Sequence, residues 1–382
     1  MNNTKKIQIP VISIIPGIGR AVREQLSSST ASSRAAKLYQ MSKLEIMDLP
    51  VPVVYPPSAS NNHQPKGCIG TPSPQAPEWQ LRPSEQEILQ HAEVLLMDAH
   101  LAAPVLLAPE LNLPSKWHHL LKNVQWVQGT YAGVDSYHQY PNATADPGFT
   151  VSRAGGIMPT ALAQFVLGHV IMIERKLFEA RQFQERRIFG RWDLMYRSFR
   201  HVTIGILGFG EVGQEIGRTF KALGFQVVGF KRRVRDDEHK TLVACAHSVS
   251  THICDVLEQS DYVVNVLPST EATRYLLTET TLAVCHKMQP VFINVGRGDV
   301  ISEQTLLWAL DQGLLSKAVL DVFEQEPLPR SSRLWSHPKV VVTPHIAGSV
   351  FPKDVADVFI RNLNRYLEGK PVLYQMDWSS GY

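Results

Sequence analysis

No part of this chain constrains its fold more than residues 201–233, HVTIGILGFGEVGQEIGRTFKALGFQVVGFKRR. Residues 202–207 form a short apolar, β-branched run, the pattern of a buried strand. Gly208, Gly210 and Gly213 follow in the G-x-G-x-x-G spacing, and Val212, Ile216, Phe220 and Leu223 then recur at helical intervals. Residues 225–230 read as a second buried strand. Strand, glycine turn, helix and strand together suit a dinucleotide pyrophosphate. Gly208 permits the tight turn, Gly210 lets the backbone approach the phosphates, and Gly213 lets helix and strand pack closely. The helix N-terminus adds N–H groups and a positive dipole end.

The end of that second strand bears on which dinucleotide. An NAD site of this kind carries an Asp or Glu about 20 residues after the glycines, to bind the ribose 2′-hydroxyl. Lys231, Arg232 and Arg233 stand there instead. Guanidinium groups hold a 2′-phosphate that a carboxylate would repel. NADP(H) is therefore favoured, with NAD(H) the alternative; the competing reading is a solvated basic turn balanced by Asp236, Asp237 and Glu238.

With 382 residues the chain has room for two domains, and its 44% hydrophobic and 19% charged content is that of a soluble globular protein. A net charge of +3, without a basic stripe interleaved with aromatics, gives no sign of a nucleic-acid partner. Cys68, Cys245, Cys254 and Cys285 lack C-x-x-C spacing, so neither a disulfide framework nor a structural metal is expected. No apolar run reaches the roughly 20 residues that span a bilayer. Residues 1–42 differ from the rest, with six basic residues (Lys5, Lys6, Arg20, Arg23, Arg34, Lys37) against the single acid Glu24, and a serine-rich run at 27–33. This composition suggests either an organelle transit peptide or a disordered tail, and hence a cytoplasmic or mitochondrial location.

Residues 43–150 read as a first αβ unit. Strands are expected at 51–55, 93–97 and 124–128, helices at 84–92 and 113–122, and a Pro-, Ser- and Asn-rich loop at 56–77. The last of these strands runs into the glycine-containing loop Tyr131, Ala132, Gly133, Val134, Asp135, whose backbone N–H groups could receive a carboxylate. Residues 159–183 read as one long helix. After Arg233, strands are expected at 262–267, 291–295, 318–323 and 340–343, the alternation of a doubly wound parallel sheet. Residues 352–367 are amphipathic, a terminal helix expected to pack back on the first domain.

Arg297, Glu326 and His345 each follow one of these later strands, at the carboxyl ends where open αβ sheets bind ligands. Their surroundings also carry a resemblance. YAGVD (131–135), LGFGEVG (207–213), LPSTEAT (267–273), INVGRGDVI (293–301), LDVFEQEPLP (320–329), TPHIAGS (343–349) and NLNRYLEGKPV (362–372) resemble the D-isomer-specific 2-hydroxyacid dehydrogenase family, most closely its glyoxylate and hydroxypyruvate reductase-like members.

That resemblance implies an α/β chain with a Rossmann cofactor domain at 156–349 and a flavodoxin-like substrate domain at 43–155, completed by 350–382. It implies His345 as general acid, Glu326 as the carboxylate that charges and orients it, and Arg297 as the group that binds and polarises the keto acid. Ala132 and Gly133 would hold the substrate carboxylate. Phe209, Glu211 and Val212 belong to the cofactor turn; Leu267, Pro268, Thr270, Thr273, Val295, Gly296 and Gly348 line the cofactor cleft; Asp321 would contact the nicotinamide carboxamide. The implied activity is reduction of a small 2-keto acid by a homodimer. Two other readings stay open: an NAD-linked D-2-hydroxyacid dehydrogenase, and a nucleotide-sensing interaction protein resembling the C-terminal-binding-protein corepressors, which keep the same three residues.

Overall fold

The computed structural model describes residues 6–28, 32–52, 79–113, 115–140 and 147–378. The expected loop at 56–77 and most of the expected strand at 51–55 lie outside the described residues. The chain divides into two compact units, one of residues 1–157 with 350–382 and the other of residues 158–349.

The first unit is built on five parallel strands, β1 (Ile7–Ile12), β2 (Leu44–Asp48), β3 (Val94–Met97), β4 (Trp126–Gly129) and β5 (Thr150–Ser152), in the order β2-β1-β3-β4-β5. This is the flavodoxin-like order. A parallel sheet is covered on both faces, so its strands alternate between two cores rather than between core and water. Val94 and Leu96 pack with Ile18, Val22, Phe359 and Leu363, whereas Leu95 and Met97 pack with Leu89, Leu101 and Trp117. The terminal helix Pro352–Leu367 starts with Pro at its first position and Asp354 in its first turn, both favourable at a helix N-terminus. Its buried face, Val355, Ala356, Phe359 and Leu363, meets Trp126, whose ring stacks on Phe359 at 5.8 Å.

Three expectations for residues 1–183 need correction. The described residues 6–28 and 32–42 are no disordered tail: β1 lies inside the sheet, and the helices Ile18–Ser27 and Arg34–Gln40 bury Ala21, Val22, Leu26, Ala35 and Ala36. Arg20, Arg34 and Lys37 sit on the exposed faces of these helices and Arg23 pairs with Asp48, so the basic composition here accompanies amphipathic helices. Pro10 is tolerated because Ile7 N–H and Val11 C=O bond on the β2 side, while Pro10 faces β3, which pairs only from Val11 onward. The expected helix at 113–122 is only the 3₁₀ turn Ser115–Trp117 followed by further turns. The expected single helix at 159–183 is two, Pro159–Glu174 and Leu177–Glu185, broken where Lys176 adopts φ 49°. That break is tied down by tertiary contacts, with Lys176 donating to Asp193 C=O at 2.8 Å and Arg175 stacked on Tyr196 at 4.1 Å.

The second unit carries seven parallel strands, β6 (Thr203–Leu207), β7 (Gln226–Phe230), β8 (Ser248–Ser250), β9 (Tyr262–Asn265), β10 (Val291–Asn294), β11 (Lys317–Leu320) and β12 (Val340–Val342), in the order β12-β11-β10-β9-β6-β7-β8. This is the doubly wound Rossmann order, extended by one strand, and it reverses between β6 and β9. Ile204, Ile206, Val264 and Ile293 face the helices Pro159–Glu174 and Glu211–Ala222; Leu207, Val263 and Phe292 face the core that includes the helix Glu303–Asp311. Among the described residues no helix is long and apolar enough to cross a membrane.

Because β1 pairs with β2 on one side and β3 on the other, deleting residues 1–42 should abolish cooperative folding of the first unit. Circular dichroism on heating checks this: the expected result is loss of one cooperative transition or of soluble protein, and an unchanged transition would contradict the assignment.

Candidate active site

The carboxyl ends of β6 to β12 place most of the expected residues on one edge of a single sheet. At β6 the turn is shaped by glycine. Gly208 takes φ +100°, and a Cβ on Gly213 would lie 2.2 Å from Gly208 C=O, so both positions require glycine. A Cβ on Gly210 would meet nothing within 4 Å, which leaves an open face over the start of the helix Glu211–Ala222. No side chain caps that helix start. An uncapped N-terminus beside open glycine backbone fits a dinucleotide pyrophosphate. Phe209 is buried, its ring against Gly217 and Gly229, while Glu211 is exposed and Val212 partly buried in the first turn.

At the end of β7, Lys231 is engaged within its own loop, its Nζ 2.6 Å from Glu238 Oε2. That hydrogen bond, with help from Arg235, holds the Glu238 carboxyl below its ordinary range even though burial opposes it. The balancing of charge expected of a basic turn thus applies to Lys231; Arg232 and Arg233 are exposed at the strand end.

After β9, Leu267 is buried, and Thr273 Oγ1 donates to Pro268 C=O at 2.6 Å and accepts from Thr270 N–H at 2.8 Å. The threonines therefore shape the loop. After β10, Val295 is buried, Gly296 lies against Leu267 C=O, and a Cβ on Gly298 would fall 1.9 Å from the carbonyl carbon of Phe323. Glycine at 298 thus brings the Arg297 turn onto the loop that leads to Glu326. Arg297 donates from Nη1 to Gly296 C=O at 2.9 Å.

His345 Nδ1 and Glu326 Oε2 are 2.7 Å apart, and the other oxygen of Glu326 accepts from Phe323 N–H at 2.9 Å. Burial alone would raise the Glu326 carboxyl, but the bonds from His345 and Phe323 and the charges of His345 and Arg297 bring it below its ordinary value. His345 moves the opposite way: its hydrogen bond to Glu326 raises it against burial, with further support from the charges of Glu326 and Asp321. The imidazole is half exposed. Its turn is anchored by the buried Asp321, whose carboxylate accepts from Thr343 Oγ1 at 2.6 Å and from Ile346 and Ala347 N–H at 2.8 Å each. Gly348 follows in close packing with Met158 and Leu162.

Ala132 and Gly133 belong to the first unit, in the loop after β4. Thr130 at its start donates to the buried carboxylate of Asp98, which also accepts from Ser13 Oγ at 2.6 Å and Ile14 N–H at 2.8 Å. Tyr131 C=O accepts from Ala154 N–H at 2.9 Å. The loop is thus fixed at its N-terminal side by two neighbouring strand ends. Sequence reasoning passed over Asp98, and also the buried pair Asn265 and Asn294; the signal for the pair was that YVVN and VFIN end two adjacent strands on the same residue. Among the described residues no cluster of His, Cys, Asp or Glu could hold a metal ion.

A paired acid and base beside an arginine and an open dinucleotide turn, all at the carboxyl edge of a Rossmann sheet, define a nicotinamide-dependent oxidoreductase unit. The model of the NAD-binding domain of D-isomer specific 2-hydroxyacid dehydrogenases matches residues 167–347. A glyoxylate reductase of Thermococcus kodakarensis is 31% identical over 233 residues, covering 58% of this chain and 68% of that protein. A glyoxylate/hydroxypyruvate reductase A of Klebsiella pneumoniae is 32% identical over 203 residues, 52% of this chain and 63% of its own length. Among solved structures, a D-isomer specific 2-hydroxyacid dehydrogenase family protein of Aeromonas salmonicida superposes with a TM-score of 0.69 at 27% identity, covering 98% of this chain and all of that one. One from Xanthobacter autotrophicus, crystallised with NADPH and MES, also gives 0.69, at 25% identity over 99% of this chain and all of that one. The chain belongs to the D-isomer specific 2-hydroxyacid dehydrogenase family, and it is an oxidoreductase acting on the CH–OH group of 2-hydroxy acids.

The pair predicts a titration. The Glu326–His345 ion pair exists above the lowered pKa of the carboxyl and below the raised pKa of the imidazole. Replacing Glu326 by Gln removes the main cause of the upward shift, so His345 should lose its proton at lower pH. NMR titration of the His345 ring checks this, and an unchanged midpoint would contradict the coupling.

Proposed function

We propose that the protein reduces small 2-keto acids of the glyoxylate or hydroxypyruvate type to D-2-hydroxy acids, using NADPH. The observation that carries this reading is the 2.7 Å pair of His345 and Glu326, with the charge of Arg297 acting on both. When bound, a nicotinamide dinucleotide supplies hydride to the keto carbon. His345 supplies the proton. Its Nδ1–H is held by Glu326, so the proton for the keto oxygen is the one on Nε2, and the carbonyl becomes CH–OH as imidazolium becomes imidazole. Half exposure lets the ring regain a proton from water.

Arg297 takes the substrate carboxylate through its planar fork and draws charge toward the carbonyl oxygen. Ala132 and Gly133, in the first unit, offer backbone N–H groups suited to a carboxylate. Gly208, Gly210 and Gly213, with the helix start at Glu211, take the pyrophosphate, and Arg232 and Arg233 take the 2′-phosphate. The absence of an acid at the end of β7 supports NADPH, as does the NADPH complex of the Xanthobacter protein, and reductase relatives at about 30% identity support the keto-acid substrate.

We also infer a homodimer. Leu177, Phe178, Ile188, Phe189, Trp192 and Met195 are all exposed within one short stretch of the second unit, Phe189 at 96% and Trp192 at 74%. Apolar surface of this density suits burial against a second copy. Light scattering should give twice the chain mass, and half that mass for the Phe189→Ser, Trp192→Ser variant; a wild-type monomer would overturn the inference.

Turnover tests the main reading. Purified protein should oxidise NADPH in the presence of glyoxylate or hydroxypyruvate, faster than NADH, with kcat reduced about 10²- to 10⁴-fold in His345→Gln. Tight NADPH binding without turnover would favour the nucleotide-sensing reading instead. Replacing Arg232 by Asp and Arg233 by Ala should weaken NADPH far more than NADH, and unchanged NADPH affinity would remove the cofactor assignment.

A further inference from the structure

The buried pair Asn265 and Asn294 ends two adjacent strands beside the point where the sheet reverses, and the reaction scheme above gives it no role. Asn265 closes β9 and Asn294 closes β10, in register with each other, at 0% and 1% exposure. A primary amide removed from water is costly unless both its oxygen and its nitrogen are bonded. Asn265 Nδ2 donates to Asn294 Oδ1 at 2.8 Å, and Asn265 Oδ1 accepts from Leu267 N–H at 3.2 Å. Asn294 Oδ1 also accepts from Gly296 N–H at 3.2 Å, and Asn294 Nδ2 donates to Arg297 C=O at 3.1 Å. Each amide has a backbone N–H facing its oxygen, and the two amides face one another nitrogen to oxygen. That sets the orientation of both.

The bonds lead to the catalytic edge. Asn294 grips the N–H of Gly296 and the carbonyl of Arg297, the peptide groups on either side of the Arg297 turn. The Arg297 guanidinium in turn donates to Gly296 C=O. Asn265 holds Asn294 on one side and the Leu267 backbone on the other, so one pair of amides links the loop after β9 to the loop after β10. Apolar residues of similar volume would fill the space but leave three backbone groups without partners.

We propose that Asn294 is a positioning residue that sets the Arg297 guanidinium for the substrate carboxylate, and that Asn265 acts through it while also holding the loop at Leu267. This rests on the proposed keto-acid reduction. Asn294→Ala should therefore raise KM for the keto acid by about tenfold, the scale set by one or two lost hydrogen bonds, with little change in NADPH affinity read by nicotinamide fluorescence. Asn294→Ser, whose hydroxyl can still accept from Gly296 N–H, should recover part of that loss, and it carries the test if the alanine variant does not fold.

The deciding measurement is a double-mutant cycle with Arg297→Ala on kcat/KM for the keto acid. If Asn294 acts through Arg297, its replacement costs about tenfold in the presence of Arg297 and almost nothing once Arg297 is gone. Equal costs in both backgrounds would overturn the proposal, as would an unchanged KM in Asn294→Ala. A wild-type protein that does not turn over keto acids would instead remove the functional reading on which it stands.

Discussion

A histidine held at φ 54° needs a fixed frame, and the carboxylate of Asp321 is that frame. A left-handed backbone costs a non-glycine residue about 1–2 kcal/mol, so it persists only where neighbours over-determine it. Three donors from the turn converge on the Asp321 carboxylate, and His345 N–H bonds to Asp321 C=O at 2.9 Å. Hydrogen bonds to a charged group contribute about 1.5–3 kcal/mol each, so the turn outweighs its strain. The resemblance assigns Asp321 to the nicotinamide carboxamide. In this structure most of its bonding capacity goes to the loop that presents the general acid.

The same edge is tightened by close backbone approach. Gly298 lets the Arg297 turn touch the Phe323 carbonyl, and Phe323 N–H bonds Glu326, so the positions of Arg297 and Glu326 are mechanically related. Farther along the loop, Glu324 accepts from Tyr275 Oη at 2.8 Å and from Glu303 N–H at 3.1 Å, fixing the loop to the start of a helix. Charge then completes what packing begins: His345 and Arg297 hold the Glu326 carboxyl ionised against burial, and Glu326 with Asp321 holds His345 protonated against the opposing charge of Arg297.

What the sequence revealed in advance was whatever is encoded locally. The glycine turn at 208–213, the alternation of strands in the second unit and the helix Pro352–Leu367 follow from spacing and periodicity, and their ends fall within a few residues of expectation. Other features were set by distant partners and could not be read locally. Lys176 breaks a helix because Asp193 and Tyr196 hold its neighbourhood, with no glycine or proline to mark the place. Residues 1–42 look like a leader in composition because amphipathic basic helices share that composition, and only pairing of β1 with β2 and β3 distinguishes the two. Lys231 looked available to a phosphate until Glu238, seven residues on, was seen to occupy it. Of the site, Arg297, Glu326 and His345 stood out through motifs, whereas Asp98 carries no signature of its own and Asn265 and Asn294 show theirs only when the ends of two strands are compared.

The central claim is that His345 delivers a proton that Glu326 makes it keep. The pH dependence of kcat/KM for glyoxylate reduction by NADPH, measured on the unaltered protein, tests it most directly. The rate should be steady at low pH and fall about tenfold per unit once pH passes a single ionisation lying above the ordinary histidine value of about 6.5. A rate that rises through that range, or one indifferent to it, would contradict the account.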